Sequence, residues 1–575
     1  MIRIFLVCFV FIANFCWGQG EAEYVVLKEN LTKKNSFFWD VNKSKLREIG
    51  SYYVDQQGET TLKHGKWKYY DRAGELEEER TYYKDMLHGS VVLYFPNGKP
   101  RQVGYFYLNQ QDSTYTEWYE TGKVSVQGNY SFNKPKGEWI YYYRDGHKKS
   151  VEETRNSVNY LNSFWMPDSL HTQTIINGNG EMQTYYTTGS LKEWYNYENG
   201  LKNGDFEEWS IYGYKTLSGS FKDGEKEGEW VYSYYTGDKE KVSNYKNGKL
   251  EGVYQYFYDN GQLNVDGRYS NGEKEGEWTW YTNKGNRDMQ GKFKNSLQDG
   301  NWTYWYPTGE LSYTAQYKED KKTGQWTYLY KNGKKFKEGT FENDLKNGNW
   351  KTWYEDGNLL MDGDYLAGKE HGTWTNYWDT GEPKNVSTFK LGKLHGDWMS
   401  YYPNGKLKLT GTYKDGYKTG AWTDYFENGN PREMTTYKIF KEKSKVDYGI
   451  MKDRAKIESR MHGKFIAYSD TDGKVMEEGT YKNGVKSGKW TAYHQGGRIP
   501  AVTSNYKTGK LEGTMETFDK RGKIISSIDY KDGLKHGSFK VYDKKGKVVS
   551  EKKFANGMQI IEGQTNTPGS FTPGR

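Results

Sequence analysis

The chain has 575 residues, 34% of them hydrophobic, and half of that apolar content is aromatic, with 54 Tyr and 21 Trp. So little is left as Leu, Ile and Val that a thick globular core is excluded, while the wealth of rings excludes a disordered chain despite 27% charged residues. The formal charge of +8 is the balance of 83 basic and 75 acidic residues, which reads as alternating charge on exposed strands and not as a nucleic-acid surface.

Residues 1–20, MIRIFLVCFVFIANFCWGQG, place Arg3 before an apolar run from Ile4 to Phe15 and the small residues Gly18 and Gly20 after it. That is the plan of a secretory signal peptide, so export to the periplasm, the outer-membrane surface or the extracellular space is expected. Both cysteines, Cys8 and Cys16, fall in this segment. Lipidation of Cys16 is opposed by the large Phe15, where a lipobox needs a small residue. No later stretch is long and apolar enough for a membrane helix.

Residues 21–64 carry the aromatics and glycine of a repeat without its spacing, in Phe37, Phe38, Trp39, Gly50, Tyr52 and Tyr53, and are expected to cap the first open edge. Units of 24 residues then open at Gly65, Gly89, Ser113 and Gly137 (residues 65–146). An apparent insertion of 19 residues, spread over 147–179, comes next. Eleven units continue without a slip over 180–429, opening at Gly180, Gly204, Gly228, Gly252, Gly276, Gly300, Gly324, Gly348, Gly372, Gly396 and Gly420. A second insertion of the same size, within 430–462, contains IMKDRAKIESRM, which has the makings of one short helix. Four last units open at Gly463, Gly488, Gly513 and Gly537 over 463–560, and residues 561–575 read as a disordered tail. Insertions on a repeat array are expected as loops on one face.

With the opening glycine as position 0, an aromatic sits at +2: Trp230, Trp278, Trp302, Trp326, Trp350, Trp374, Trp398 and Trp422. A second glycine falls at +9, a third often at +15, and a ring at +17: Phe293, Tyr317, Phe341, Tyr365, Phe389 and Tyr413. Asn-Gly turns between short aromatic runs make each unit a β-hairpin. Turns centred after +8 and after +21 set +2 opposite the +15 glycine of its own hairpin and opposite the +17 ring of the preceding unit. The fold class is therefore all-β, an elongated single-layer antiparallel sheet of about 19 stacked hairpins, with the opening glycines as turn residues. One hairpin alone is marginal, so neighbours must stabilise it.

Catalytic, metal and cofactor-binding residues are not expected. Six of nine histidines (His64, His88, His371, His395, His462, His536) precede an opening glycine, a shared position that implies a structural role. His147, His171 and His494 stand apart. Equivalent residues in adjacent units are two strands, roughly 9.6 Å, apart, too far to share a metal bonded at about 2 Å. Carboxylate pairs such as Glu225 with Glu227 and Glu273 with Glu275 sit between units as solvated charge.

Gly396, Trp398, Tyr401, Tyr402, Asn404, Gly405, Gly411, Tyr413, Gly416 and Gly420 spell a string that resembles the MORN repeat in its bacterial variant form, including proteins named as antitoxin components of toxin–antitoxin modules. The resemblance implies a single-layer sheet used for contact with proteins or lipid and not for catalysis. Trp or Tyr stands here where the eukaryotic form commonly has glycine. The units also resemble choline- or glucan-binding wall repeats, but lack their Gly-Trp dipeptide. The expected function is an exported interaction scaffold at the bacterial cell envelope with a protein partner. A glycan or cell-wall module, a membrane-surface contact and a toxin inhibitor are the alternatives, and nucleic acid is not expected.

Overall fold

The computed structural model describes residues 35–442 and 456–561. The signal-peptide segment with Cys8 and Cys16, residues 21–34 of the expected cap, and residues 562–575 of the tail lie outside the described residues. Among the described residues all regular structure is β: 44 strands, paired antiparallel in an open sheet of hairpin repeats. They fall into two compact units, divided at Glu275/Gly276 with Asn283–Gly285 belonging to the first. Within each unit, consecutive strands pair in chain order.

One repeat shows why the sequence folds this way. The strand Leu297–Trp305 runs to a five-residue turn in which the Tyr306 N–H donates to the Glu310 carbonyl at 2.8 Å. The strand Leu311–Lys318 returns. A two-residue turn, Glu319 and Asp320 with φ of 50° and 65°, leads onward. Such turns need left-handed backbone at both residues, which Asn-Gly supplies elsewhere, as at Asn271 (φ 52°) and Gly272 (φ 86°).

Within the hairpin the register matches the expectation, with Trp302 opposite Ala315 and Trp278 opposite Gly291. Between hairpins it differs. Trp302 pairs with Gly291, not with Phe293, because the second turn is centred after +19 and the opening glycine stands in a bulge. Gly228, Gly252, Gly276, Gly300, Gly324, Gly348, Gly372, Gly396 and Gly420 have φ between 57° and 105°. They lie inside strands, not in turns, and the left-handed backbone at each lets two residues bulge so that the ladder resumes at the tryptophan.

The bulge seats the ring. Trp302 lies over Gly291 of the preceding repeat, where an added Cβ would fall inside the indole. Trp350 lies in the same way over Gly339, Trp374 over Gly363 and Trp422 over Gly411, so the space comes from the neighbouring repeat and not from the tryptophan's own hairpin. The indole N–H of Trp350 donates to the Thr340 carbonyl at 3.0 Å and that of Trp230 to Ser220 at 3.1 Å, carbonyls beside the bulge. Trp230, Trp278, Trp302, Trp326, Trp350, Trp374 and Trp422 are buried, and Trp398 is half-buried.

Most of these +17 rings stand edge-on between two indoles. Phe293 is 5.9 Å from Trp278 and 5.2 Å from Trp302; Tyr317 is 5.9 Å from Trp302 and 5.3 Å from Trp326. Phe341, Tyr365 and Tyr413 repeat this with their flanking indoles, while Phe389 packs on Trp374 at 5.8 Å. Edge-to-face pairs of this kind contribute about 0.5–1.5 kcal/mol each beyond burial. A lysine two residues before the opening glycine covers the indole: Lys226 Nζ is 4.0 Å from the Trp230 ring centroid, Lys418 4.2 Å from Trp422 and Lys486 3.7 Å from Trp490.

Both edges are stitched between repeats. At the first-turn edge a tyrosine hydroxyl donates to a carbonyl 23 residues on, as from Tyr306 to Leu329 and from Tyr402 to Tyr425, both at 2.8 Å. At the other edge the residue before the opening glycine accepts from the next two-residue turn. Glu227 takes the Asn247 N–H at 2.9 Å, and His64, His395, His462 and His536 do the same through Nδ1 at 3.3–3.4 Å. That is what the shared histidine position does at these four places; at His88 and His371 the buried Nδ1 makes no such bond.

Candidate functional site

The first apparent insertion is a repeat and not a loop. Counting 24 from Gly137 reaches Leu161, and Gly180 comes 19 residues later, so this repeat is five residues short. The strands Lys148–Arg155 and Val158–Trp165 complete the Gly137 repeat and open the next, joined by the regular turn at Asn156 and Ser157. The return strand is only Gln173–Ile176 and meets its neighbours through two residue pairs on each side.

The seat for tryptophan is missing here. Glu152 occupies the +15 place that is often glycine in other repeats, and Ser163 the +2 place of the indole. Glu152 pairs with Leu161 and Val151 with Ser163, a one-residue bulge in place of two. The slip turns Phe164 onto the face where an indole would lie, because side chains alternate along a strand. Phe164 and Ile175, each at most 2% exposed, form with Leu161 a small core packed by Met166, Met182 and Tyr197. Lacking a glycine at its opening, the strand gives the Leu161 N–H to the Gly200 carbonyl at 2.8 Å, against the turn that closes the following repeat.

Beside this small core lies a cleft of about 700 Å³, lined by Tyr141, Glu152, Phe164, Tyr197, Lys202 and Phe221 among others. Glu152 accepts from the Ser150 hydroxyl at 3.1 Å, and burial raises its carboxyl above the usual range. Lys202 holds the lysine place two before Gly204. With no indole beneath it, its ammonium sits 3.9 Å from the Tyr195 ring centroid and 5.2 Å from Phe221, and burial lowers its affinity for the proton. Burial also pushes the Tyr197 hydroxyl up to about 12. Acidic and basic groups above a floor of rings can hold a chain that carries an apolar side chain beside polar groups.

The second insertion does something else. The strands Pro431–Glu442 and Lys456–Tyr468 stay paired from Tyr437 with Met461 out to Glu442 with Lys456, so the hairpin is lengthened past the usual turn. Residues 456–461 of the expected helix are strand, held by cross-strand pairing and by the Arg460 guanidinium between Glu442 and Glu458; residues 450–455 lie outside the described residues. Ser459 Oγ donates to the Lys418 carbonyl at 2.8 Å.

A single-layer β protein of stacked hairpins, many of them seating an indole on the preceding repeat's glycine, is the class that this fold defines. The pattern of the MORN repeat variant matches ten times, at residues 63–85, 111–131, 250–271, 298–319, 346–366, 394–415, 418–438, 461–483, 511–532 and 535–556. The chain belongs to the MORN repeat variant family. No curated protein matches it.

Among solved structures, the chain is similar to one titled as the Photorhabdus luminescens Tc holotoxin pore with the mutation TccC3-D651A, at 12% identity, covering 92% of this chain and 33% of that one with a TM-score of 0.13. It is also similar to TcdB2-TccC3-Cdc42 (10% identity, 89% and 34%, TM-score 0.10) and to TcdB2-TccC3 without the hypervariable C-terminal region (11%, 91% and 34%, TM-score 0.11). The chain spans about a third of those chains, and TM-scores this low carry no inference.

Proposed function

We propose that this protein is a non-catalytic scaffold, exported to the bacterial cell envelope, that binds a protein through the cleft at its shortened repeat. The observation that carries the reading is the loss of one indole seat. Ring, glycine and lysine close the surface where a repeat carries all three, whereas here Glu152, Ser163 and Lys202 stand at those places beside a concave, ring-floored site with acidic and basic groups in its walls. The N-terminal sequence, with its charged start, apolar run and small residues, supports export.

The test is photocrosslinking in the producing cell with benzoylphenylalanine at Val158 or Tyr160 on the rim, against the same label at Phe336 on a regular repeat. A defined envelope protein crosslinked at the rim and absent at Phe336 supports the reading; equal or no crosslinking at both defeats it. Ring platforms also suit sugars, so a glycan array and a peptidoglycan pull-down run beside it. Enrichment there that is lost in Tyr197→Ala transfers the cleft to a glycan.

A further inference from the structure

The histidines that stand apart in the sequence do not stand apart in the fold. His147 and His171 lie 24 residues apart (171 − 147), so both occupy position +10, the first in the turn of the Gly137 repeat and the second in the turn of the shortened one. Their backbones are a repeat apart, but +10 side chains lean along the edge. Lys99 Nζ reaches the Thr121 carbonyl of the next turn at 3.1 Å, and Lys406 Nζ reaches that of Asn428 at 2.8 Å. With histidine at both places, the rings stack with centroids 3.8 Å apart and planes 24° from parallel.

Asp145 closes the group. Its Oδ1 is 3.3 Å from His147 Nδ1 and its Oδ2 is 3.3 Å from His171 Nε2. One donor atom from each residue lies within 4.8 Å of the other two. Donors bonded at about 2 Å to one tetrahedral ion are separated by roughly 3.3 Å, so these spacings need little change to enclose a cation. The second turn is built to present its ring. It is two residues longer than its neighbours, running from the Met166 N–H to the Thr172 carbonyl, and His171 adopts a left-handed φ of 49°. Asp168 fixes it, its carbonyl accepting from the His171 N–H at 3.2 Å and its Oδ1 from the Thr172 N–H at 3.0 Å.

We propose that Asp145, His147 and His171 form a site for one divalent transition-metal ion of the zinc class, with the remaining coordination open to solvent. Two imidazoles and a carboxylate favour zinc, cobalt, nickel or copper over calcium or magnesium. The ion would clasp the shortened repeat to the one before it, on the turn edge of the region that carries the cleft.

Chelator-stripped full-length protein is titrated with Zn²⁺ by calorimetry and with Co²⁺ by visible absorption. One site per chain is expected, with Co²⁺ ligand-field bands, and binding at least tenfold weaker in His147→Ala/His171→Ala and unchanged in His494→Ala. Equal binding by the double variant, or no binding by the unaltered chain, overturns the proposal. Should the double variant fail to fold, carbethoxylation of the unaltered chain read by mass spectrometry decides. Zn²⁺ that shields His147 and His171 but not His494 supports the site, and uniform labelling refutes it.

Discussion

Two departures of equal size interrupt the 24-residue period, and the chain uses them in opposite ways. At 430–462 the extra residues lengthen one hairpin, and the indole seat of Trp422 on Gly411 is untouched. At 147–179 the same excess makes a new repeat too short to be regular, and the seat is lost to Glu152 and Ser163. What separates a decorated array from one with a site is therefore not the length of the extra segment. It is whether that segment falls beyond the turn, where pairing can continue, or replaces a strand that must supply a glycine and a ring.

The largest expected effect tests the seat itself. Gly291→Val puts side-chain atoms where the Trp302 indole lies, and Trp302→Ala empties the space. The truncation costs about 3–5 kcal/mol at that repeat and the overpacked variant about 1–3 kcal/mol or more, seen as amide exchange accelerated across 287–305 while exchange across 148–165 is unchanged. Equal acceleration in both segments would erase the contrast between a local seat and a global core.

Next come the two segments removed whole. Deleting residues 440–458 restores the regular spacing and loses the Ser459 hydrogen bond to Lys418, an expected cost of about 1 kcal/mol, with crosslinking at Val158 retained. Deleting 161–179 sets Gly180 24 residues after Gly137 and removes the cleft, so crosslinking at Tyr160 disappears while the circular dichroism stays that of a β-sheet.

A smaller effect lies in the cleft's charge. The raised folded pKa of Glu152 means that its contribution to stability is complete below the ordinary glutamate pKa and is lost as pH rises through the raised value. Glu152→Gln is therefore expected to match the unaltered chain in acid and to exceed it at neutral pH by about 1 kcal/mol, measured by thermal unfolding from pH 4 to 8. The smallest effect belongs to a regular repeat. Burial, aided by Lys337, depresses Lys346 to about 8, with its ammonium 4.6 Å from the Trp350 ring centroid. Its contribution is present above the ordinary lysine pKa and lost as pH falls through 8, so Lys346→Met gains slightly on the unaltered chain below pH 8 and loses the gain at pH 10.

The hairpins, the first-turn centre and the partnership of Trp302 with Phe293 are legible in the spacing of Gly, Trp and Phe, because turn chemistry and periodicity are local. The spacing misplaces the seat by one repeat. A bulge at a positive-φ glycine leaves no mark in composition, so Gly300 reads as turn punctuation when it is a fault inside a strand. The cleft is hidden for the opposite reason: the period continues through it, landing on Leu161, where no glycine announces a repeat. Counting on from Gly137 exposes both that strand and the shared position of His147 and His171. The lysine two residues before some opening glycines is equally visible, in Lys226 and Lys418, but its purpose emerges only once the indole lies under it.

The stitched edge gives the sheet a direction under load. Each Tyr306-like hydroxyl anchors the carbonyl of the following repeat, so tension on a chain end would free one hairpin at a time, each lengthening the chain by about 80 Å for 24 extended residues. Such a sheet would yield in nearly equal steps like a ratcheting strap, with the shortened repeat registering as a short step and the lengthened hairpin as a long one.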